Sequence, residues 1–165
     1  MKIGQTAWIG IVVALAAAAA FWLWGGVLDS GRRTVEGPAR VPHAGVLMVE
    51  DVWIPLLGLH PPREDPNCVV EGIISQCPLI STARLAELVM GKTIRCELQR
   101  FPGDDRNWGS CGEVDPATGA LVDGPDSINR RLIRSGWAVA DDHYTPVYLP
   151  LTEQAQEDRI GVYFD

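Results

Sequence analysis

The sequence predicts a mainly β domain with helices, α+β in class, preceded by one membrane-crossing helix. Three observations lead there. Two short apolar runs, Val46–Val49 and Val52–Leu59, are parted by the acidic pair Glu50-Asp51, which reads as a β-hairpin. Two later stretches, opening at Ser81-Thr82 and at Ser127, carry apolar residues at helical spacing and stop at Gly91 and Gly136. No charged residue occurs from Ala7 to Leu28, long enough to cross a bilayer as a helix.

Taken in order, residues 1–6 form a short tail and residues 7–28 the span. Trp8 at one end, with Trp22 and Trp24 at the other, are placed as interfacial anchors. A cleaved signal peptide is the rival reading, and it calls for a shorter apolar region followed by a small-residue cleavage site. Here Ala16–Ala20 leads into Phe-Trp-Leu-Trp, which favours an uncleaved signal anchor. Residues 29–36 are polar and glycine-bearing, hence a linker, and residues 37–165 form the domain. The hairpin stops at Gly58-Leu-His-Pro-Pro, and the Pro, Asn and Gly that follow predict a loop. The first helical stripe runs through Leu85, Leu88 and Val89; Lys92–Leu98 and the region of Trp108–Val114 predict strands. Asp115–Asp126 reads as an extended hairpin loop. The second helix puts Ile128, Leu132 and Ile133 on one face, and Trp137 behind it is expected in the core.

Charge weighs against nucleic acid as a partner. After residue 28 there are 13 Lys and Arg against 21 Asp and Glu, a formal charge of −8. Polyanion binding gains from phosphate neutralisation and counterion release, which an acidic domain supplies poorly. Arg130, Arg131 and Arg134 share a helix and offer a local basic patch, or simply a solvated face.

The four cysteines are an even number and suit two disulfides in an oxidising compartment; four buried free thiols is the alternative. The spacing, Cys68-x8-Cys77 and Cys96-x14-Cys111, is not a zinc pattern. Lys2 precedes the span, and Arg32, Arg33 and Arg40 follow it, so the positive-inside tendency alone would leave the domain in the cytoplasm. The cysteines argue for the other side. The expectation is a single-pass inner-membrane protein with a periplasmic domain.

The stretch GPARVPHAGVLMVEDVWIPLLGLHPPR, residues 37–63, resembles the front of the thermonuclease (staphylococcal nuclease-like) family. Arg40-Val41, Leu47, Val49, Leu56, Gly58 and Pro62 fall on that family's scaffold positions. SINRRLIRSGWAVA, residues 127–140, is similar to its D-x-N-x-x-L-V-x-x-G-W-A-x-A segment. Tyr144, Tyr148, Thr152, Glu153, Ala155 and Gly161 resemble its closing helix, with Tyr163 at the final tryptophan position. The likeness implies a five-stranded OB-fold barrel with about three helices. It also supports pairing the cysteines, since exported members of the family carry them at similar places.

The positions that carry the family's chemistry do not match. Its D-G-D-T becomes His43-Ala44-Gly45-Val46, its strand arginine becomes Pro55, and the acids of I-D-A-P-E become His60 and Arg63. Arg106, five residues before Cys111, is the one position that keeps its residue. The family's calcium wants carboxylate and carbonyl oxygens, so the calcium site is expected to be lost and no cofactor is expected. Arg63 cannot act as a general base, because a guanidinium stays charged. Two imidazoles, His43 and His60, with His143 as a third, could instead bind a transition metal; simple filling of a vacated cleft is the blander account. The expected function is a non-catalytic binding or assembly module at the envelope, with an unknown protein partner. The alternative is a metal-dependent nuclease working through a relocated site.

Overall fold

The computed structural model describes residues 33–62, 69–70, 72–74 and 76–164. The predicted span at 7–28 lies outside them, as do Arg63 and Cys68. No helix among the described residues is long and apolar enough to cross a membrane.

Among the described residues the class is α+β, with a six-stranded antiparallel sheet and three α-helices. Strand β1 (Arg33–His43) starts four residues before the domain boundary read from the sequence, so residues 33–36 are strand rather than linker. Its first half pairs with β7 (Thr93–Phe101) from Arg33↔Leu98 to Pro38↔Thr93. Its second half pairs with β2 (Val46–Val49) from Ala39↔Val49, with an irregularity between Arg40 and His43. Gly37-Pro38 sits where the partner changes. A proline, lacking an N–H, fits a strand best where a ladder ends.

The predicted hairpin is present. Strand β2 turns into β3 (Val52–Pro55) at Glu50-Asp51, both with positive φ, as a two-residue type I′ turn requires. The apolar run Val52–Leu59 is not one strand, however. It breaks at Gly58 (φ +73) and resumes as β4 (Leu59–His60), which pairs with β10 (Val139–Ala140) in a separate two-stranded sheet. A small hairpin, β5 (Val69–Val70) with β6 (Ile73–Ile74), forms a two-stranded sheet of its own.

The sheet order is β3-β2-β1-β7-β8-β9, with β8 at Asp104–Val114 and β9 at Leu121–Val122. Strand β9 lies inside the stretch expected to be loop. It makes the sheet six-stranded rather than five. Beyond the end of β3, Leu56 bridges Gly109 of β8, and the Leu57 N–H donates to the Gly109 carbonyl at 2.8 Å. Those two contacts bring the chain leaving β3 onto β8, next to the sheet's far edge, without a continuous ladder. Gly109 is required there, since a Cβ would run into Ile54.

Helix α1 (Cys77–Val89) begins earlier than its expected Ser81-Thr82 cap. Gln76 is the N-cap, Pro occupies the first turn, and Ser81 is buried, donating to the Trp137 carbonyl at 2.7 Å. Helix α2 (Ser127–Arg134) lies on β8, and α3 (Leu149–Glu157) packs against it. The core joins Leu47, Ile54, Leu56, Ile94 and Cys96 from the sheet to Leu85, Ile128, Leu132 and Ile133 from the helices. Trp137 is buried with them, as expected. Each such buried aliphatic side chain stabilises the fold by about 1.5–3 kcal/mol relative to exposure.

Cys96 and Cys111 are direct partners in the β7–β8 ladder and are joined by a disulfide, with Cα atoms 4.1 Å apart. Cys77 is also disulfide-bonded and buried.

Candidate functional site

Strand β8 alternates faces, so Asp104, Arg106 and Trp108 emerge on one side of it. Gly103 (φ +81) makes the turn that delivers them at the tip of the β7–β8 hairpin. The Asp104 carboxylate accepts from Arg106 Nε at 2.9 Å and Nη2 at 2.8 Å. It also accepts from the Arg106 backbone N–H at 3.0 Å, Trp108 Nε1 at 2.8 Å and the Tyr144 hydroxyl at 2.8 Å. The guanidinium lies over the Trp108 ring, 4.4 Å from its centroid. Tyr144 packs against Phe101 and Trp108, with ring centroids at 4.4 and 4.6 Å, and His143 meets it edge-on. The donors, the Arg106 side chain foremost, hold Asp104 far below the usual carboxylate range. The same contacts raise the Arg106 guanidinium and the Tyr144 phenol.

Beside this cluster a cleft of about 610 Å³ opens between β3 and β8. His43, Val46, Trp53 and Pro55 form one wall, Asp105, Arg106 and Asn107 the other, with Asp51 and Val52 completing the lining. Four positions picked out by the resemblance, His43, Val46, Pro55 and Arg106, are therefore brought together. Trp53 is 55 % exposed, its ring tilted 6.0 Å from that of His43. Asp51 and Asp105 were not anticipated, and neither carboxylate is in a hydrogen bond or ion pair within the described residues. A neighbouring cavity of about 530 Å³ shares Asp105 and Arg106 and adds Phe101, Asp104, His143 and Tyr144.

The three histidines do not meet. His60 is held in the β4–β10 pair with Nδ1 2.9 Å from the Pro61 carbonyl oxygen, and it lines neither cavity. His43 lines the first cavity, with Nδ1 3.3 Å from the Ala44 carbonyl oxygen, and His143 lines the second. Among the described residues no three His, Cys, Asp or Glu gather as a metal-ligand set. Gly45 lies against Leu59 and Pro61, so His43 and His60 stand on adjoining segments, while His143 packs on Tyr144 beside the second cavity. The carboxylates that line this cleft are Asp51 and Asp105, neither of them at a position where the resemblance expects a calcium ligand.

The arginines of α2 are largely matched. Arg130 pairs with Asp126 at 3.1 Å, and Arg131 with Asp123 at 2.6 Å and Glu113 at 3.5 Å. Together with Arg134 they line a cavity of about 350 Å³ that also contains Asp123. Asp126, Asp123 and Glu113 thus answer Arg130 and Arg131, and Lys92 shares Glu113 at 2.8 Å, so two of the three arginines are neutralised in place.

Asp104 was missed because Asp104-Asp105 was read only as a turn. The signal was available: Asp-x-Arg-x-Trp places an acid, a base and an aromatic at alternate positions of one strand. No protein-family model matches this chain, and no curated protein matches it either.

Proposed function

We propose that this chain is a membrane-tethered, degenerate thermonuclease-like OB module that binds a partner at the cell envelope and does not cleave nucleic acid. The approach of the chain leaving β3 to β8, at Leu56 and Gly109, suits the barrel that the resemblance implies. The Cys96–Cys111 disulfide and the uncharged stretch from Ala7 to Leu28 favour a tethered domain on the outer side.

One observation carries the non-catalytic reading. Arg106, the only retained position, is already engaged by Asp104 through both Nε and Nη2. A phosphate would have to displace an intramolecular carboxylate from the donors it needs. At Pro55 there is no second guanidinium to help.

The second reading, a metal-dependent phosphodiesterase with a relocated site, draws on Asp51 and Asp105 lining the cleft next to Arg106. Incubation of the full-length chain with single-stranded DNA, with calcium and then with zinc, separates the two. No cleavage is the expected outcome. Cleavage that disappears in Arg106→Ala or Asp105→Asn would establish the second reading. For topology, a reporter fused after Asp165 that is active only in the periplasm is expected to be active; a silent one places the domain in the cytoplasm.

A further inference from the structure

We propose that the cleft between β3 and β8 takes the cationic side chain of a basic partner peptide, an arginine or a lysine. The assignment rests on the reading of the domain as a binding module and names what that module would recognise.

Charge is the first consideration. The cleft holds one cation, Arg106, and that cation is spent on Asp104. The Asp51 and Asp105 carboxylates remain without partners in the described residues, leaving the cleft with two unmatched negative charges. They sit on a segment, residues 29–165, whose formal charge is −8, so the surrounding field also draws cations in. An anionic ligand would meet that field and the two carboxylates with no free counter-charge to offset them.

The wall supplies the second consideration. Trp53 leaves over half its surface in water although it stands in a strand. The face of an indole is the best aromatic partner for a guanidinium or ammonium. Pro55, two residues along β3 from Trp53 on the same face, and Val46, its partner on β2, give an apolar track for the methylene stem that such a cation carries. Aromatic face, apolar track and two carboxylates are what a long cationic side chain needs, and a small inorganic cation would use only the last of them.

The test is calorimetric titration of the full-length chain with hexa-arginine, alongside hexa-glutamate and a single-stranded oligonucleotide as separate arms. Hexa-arginine is expected to bind and the other two are not. Affinity should fall about threefold to tenfold in Trp53→Leu, and by about twofold to fivefold in each of Asp51→Asn and Asp105→Asn. Asp158→Asn, at the far end of α3, removes the same charge outside the cleft and is expected to change little. All of these residues are at the surface, and an unchanged melting midpoint confirms that each variant folds. Equal losses in Asp158→Asn and Asp105→Asn would reduce the binding to bulk charge and overturn the proposal. So would tighter binding of the oligonucleotide than of hexa-arginine. If neither peptide binding nor DNA cleavage is seen, only this assignment fails; cleavage would remove the binding-module reading beneath it.

Discussion

Asn129 and Gly109 are joined by a hydrogen bond of 3.0 Å from the Asn129 Nδ2 to the Gly109 carbonyl, where Leu56 beyond β3 bridges β8. The same amide nitrogen donates to the Leu57 carbonyl at 3.0 Å, and Oδ1 accepts from the Cys111 N–H at 3.0 Å. Asn129 is wholly buried. Thus one side chain of α2 ties the chain leaving β3 to β8.

Replacing Asn129 by Ala strands buried backbone groups and is expected to cost about 2–4 kcal/mol in urea unfolding. Asn129→Asp should cost more than the alanine, because a carboxylate cannot donate to the two carbonyls. An aspartate variant as stable as wild type would mean that water replaces these bonds.

Asp104 ties the hairpin tip to acidity. A carboxyl whose value is depressed on folding contributes stability above its unfolded value of about 3.9. That contribution is lost as pH falls through the depressed folded value. The Arg106 and Tyr144 contacts should therefore hold at neutral pH and weaken in strong acid. Asp104→Asn should be less stable than wild type at pH 7, and the difference should shrink below about pH 4. Chemical denaturation at both pH values checks this; a gap that widens in acid would contradict it.

Reduction of Cys96–Cys111 reopens a loop closed across a separation of 15 residues. The expected loss is about 3 kcal/mol on the chain-entropy account. Cys96→Ala with Cys111→Ala, compared with the oxidised protein by thermal melting, gives the measurement. The pair lies at the centre of the largest ladder, so the loss should be felt by the whole sheet rather than by its edge.

Gly136 has φ +72, and a Cβ placed on it would strike the Ile160 carbonyl oxygen and crowd Gly161. Both the backbone conformation and the close approach demand glycine. Gly136→Ala is expected to destabilise by about 2–4 kcal/mol and to loosen the segment after α3 first. Hydrogen exchange at Val162, whose N–H donates to the Gly136 carbonyl at 3.0 Å, would report it.

Much of the scaffold was readable from local chemistry. Glu50-Asp51 marked the hairpin turn, Gly136 marked the end of α2, and Ile128, Leu132 and Ile133 marked its buried face. What local chemistry could not supply was the partner of each polar group. Ser81 looked like a cap until its hydroxyl was found on Trp137. Val52–Leu59 looked like one strand until Gly58 turned its end into another sheet. Leu121–Val122 carries too few residues to announce itself as a strand and exists because the edge of β8 was open to it. For the site, Arg106 was found by its distance from Cys111, whereas Asp51 and Asp105 enter only through the curl that carries β3 over β8.

Anyone wishing to equip this cleft by design for phosphodiester cleavage faces an obstacle that grafting an acid onto His43 and an arginine onto Pro55 would not remove. Arg106 would still answer to Asp104, and Asp104 also anchors Trp108 and Tyr144. Freeing the arginine means rebuilding the aromatic tip that the same carboxylate holds in place.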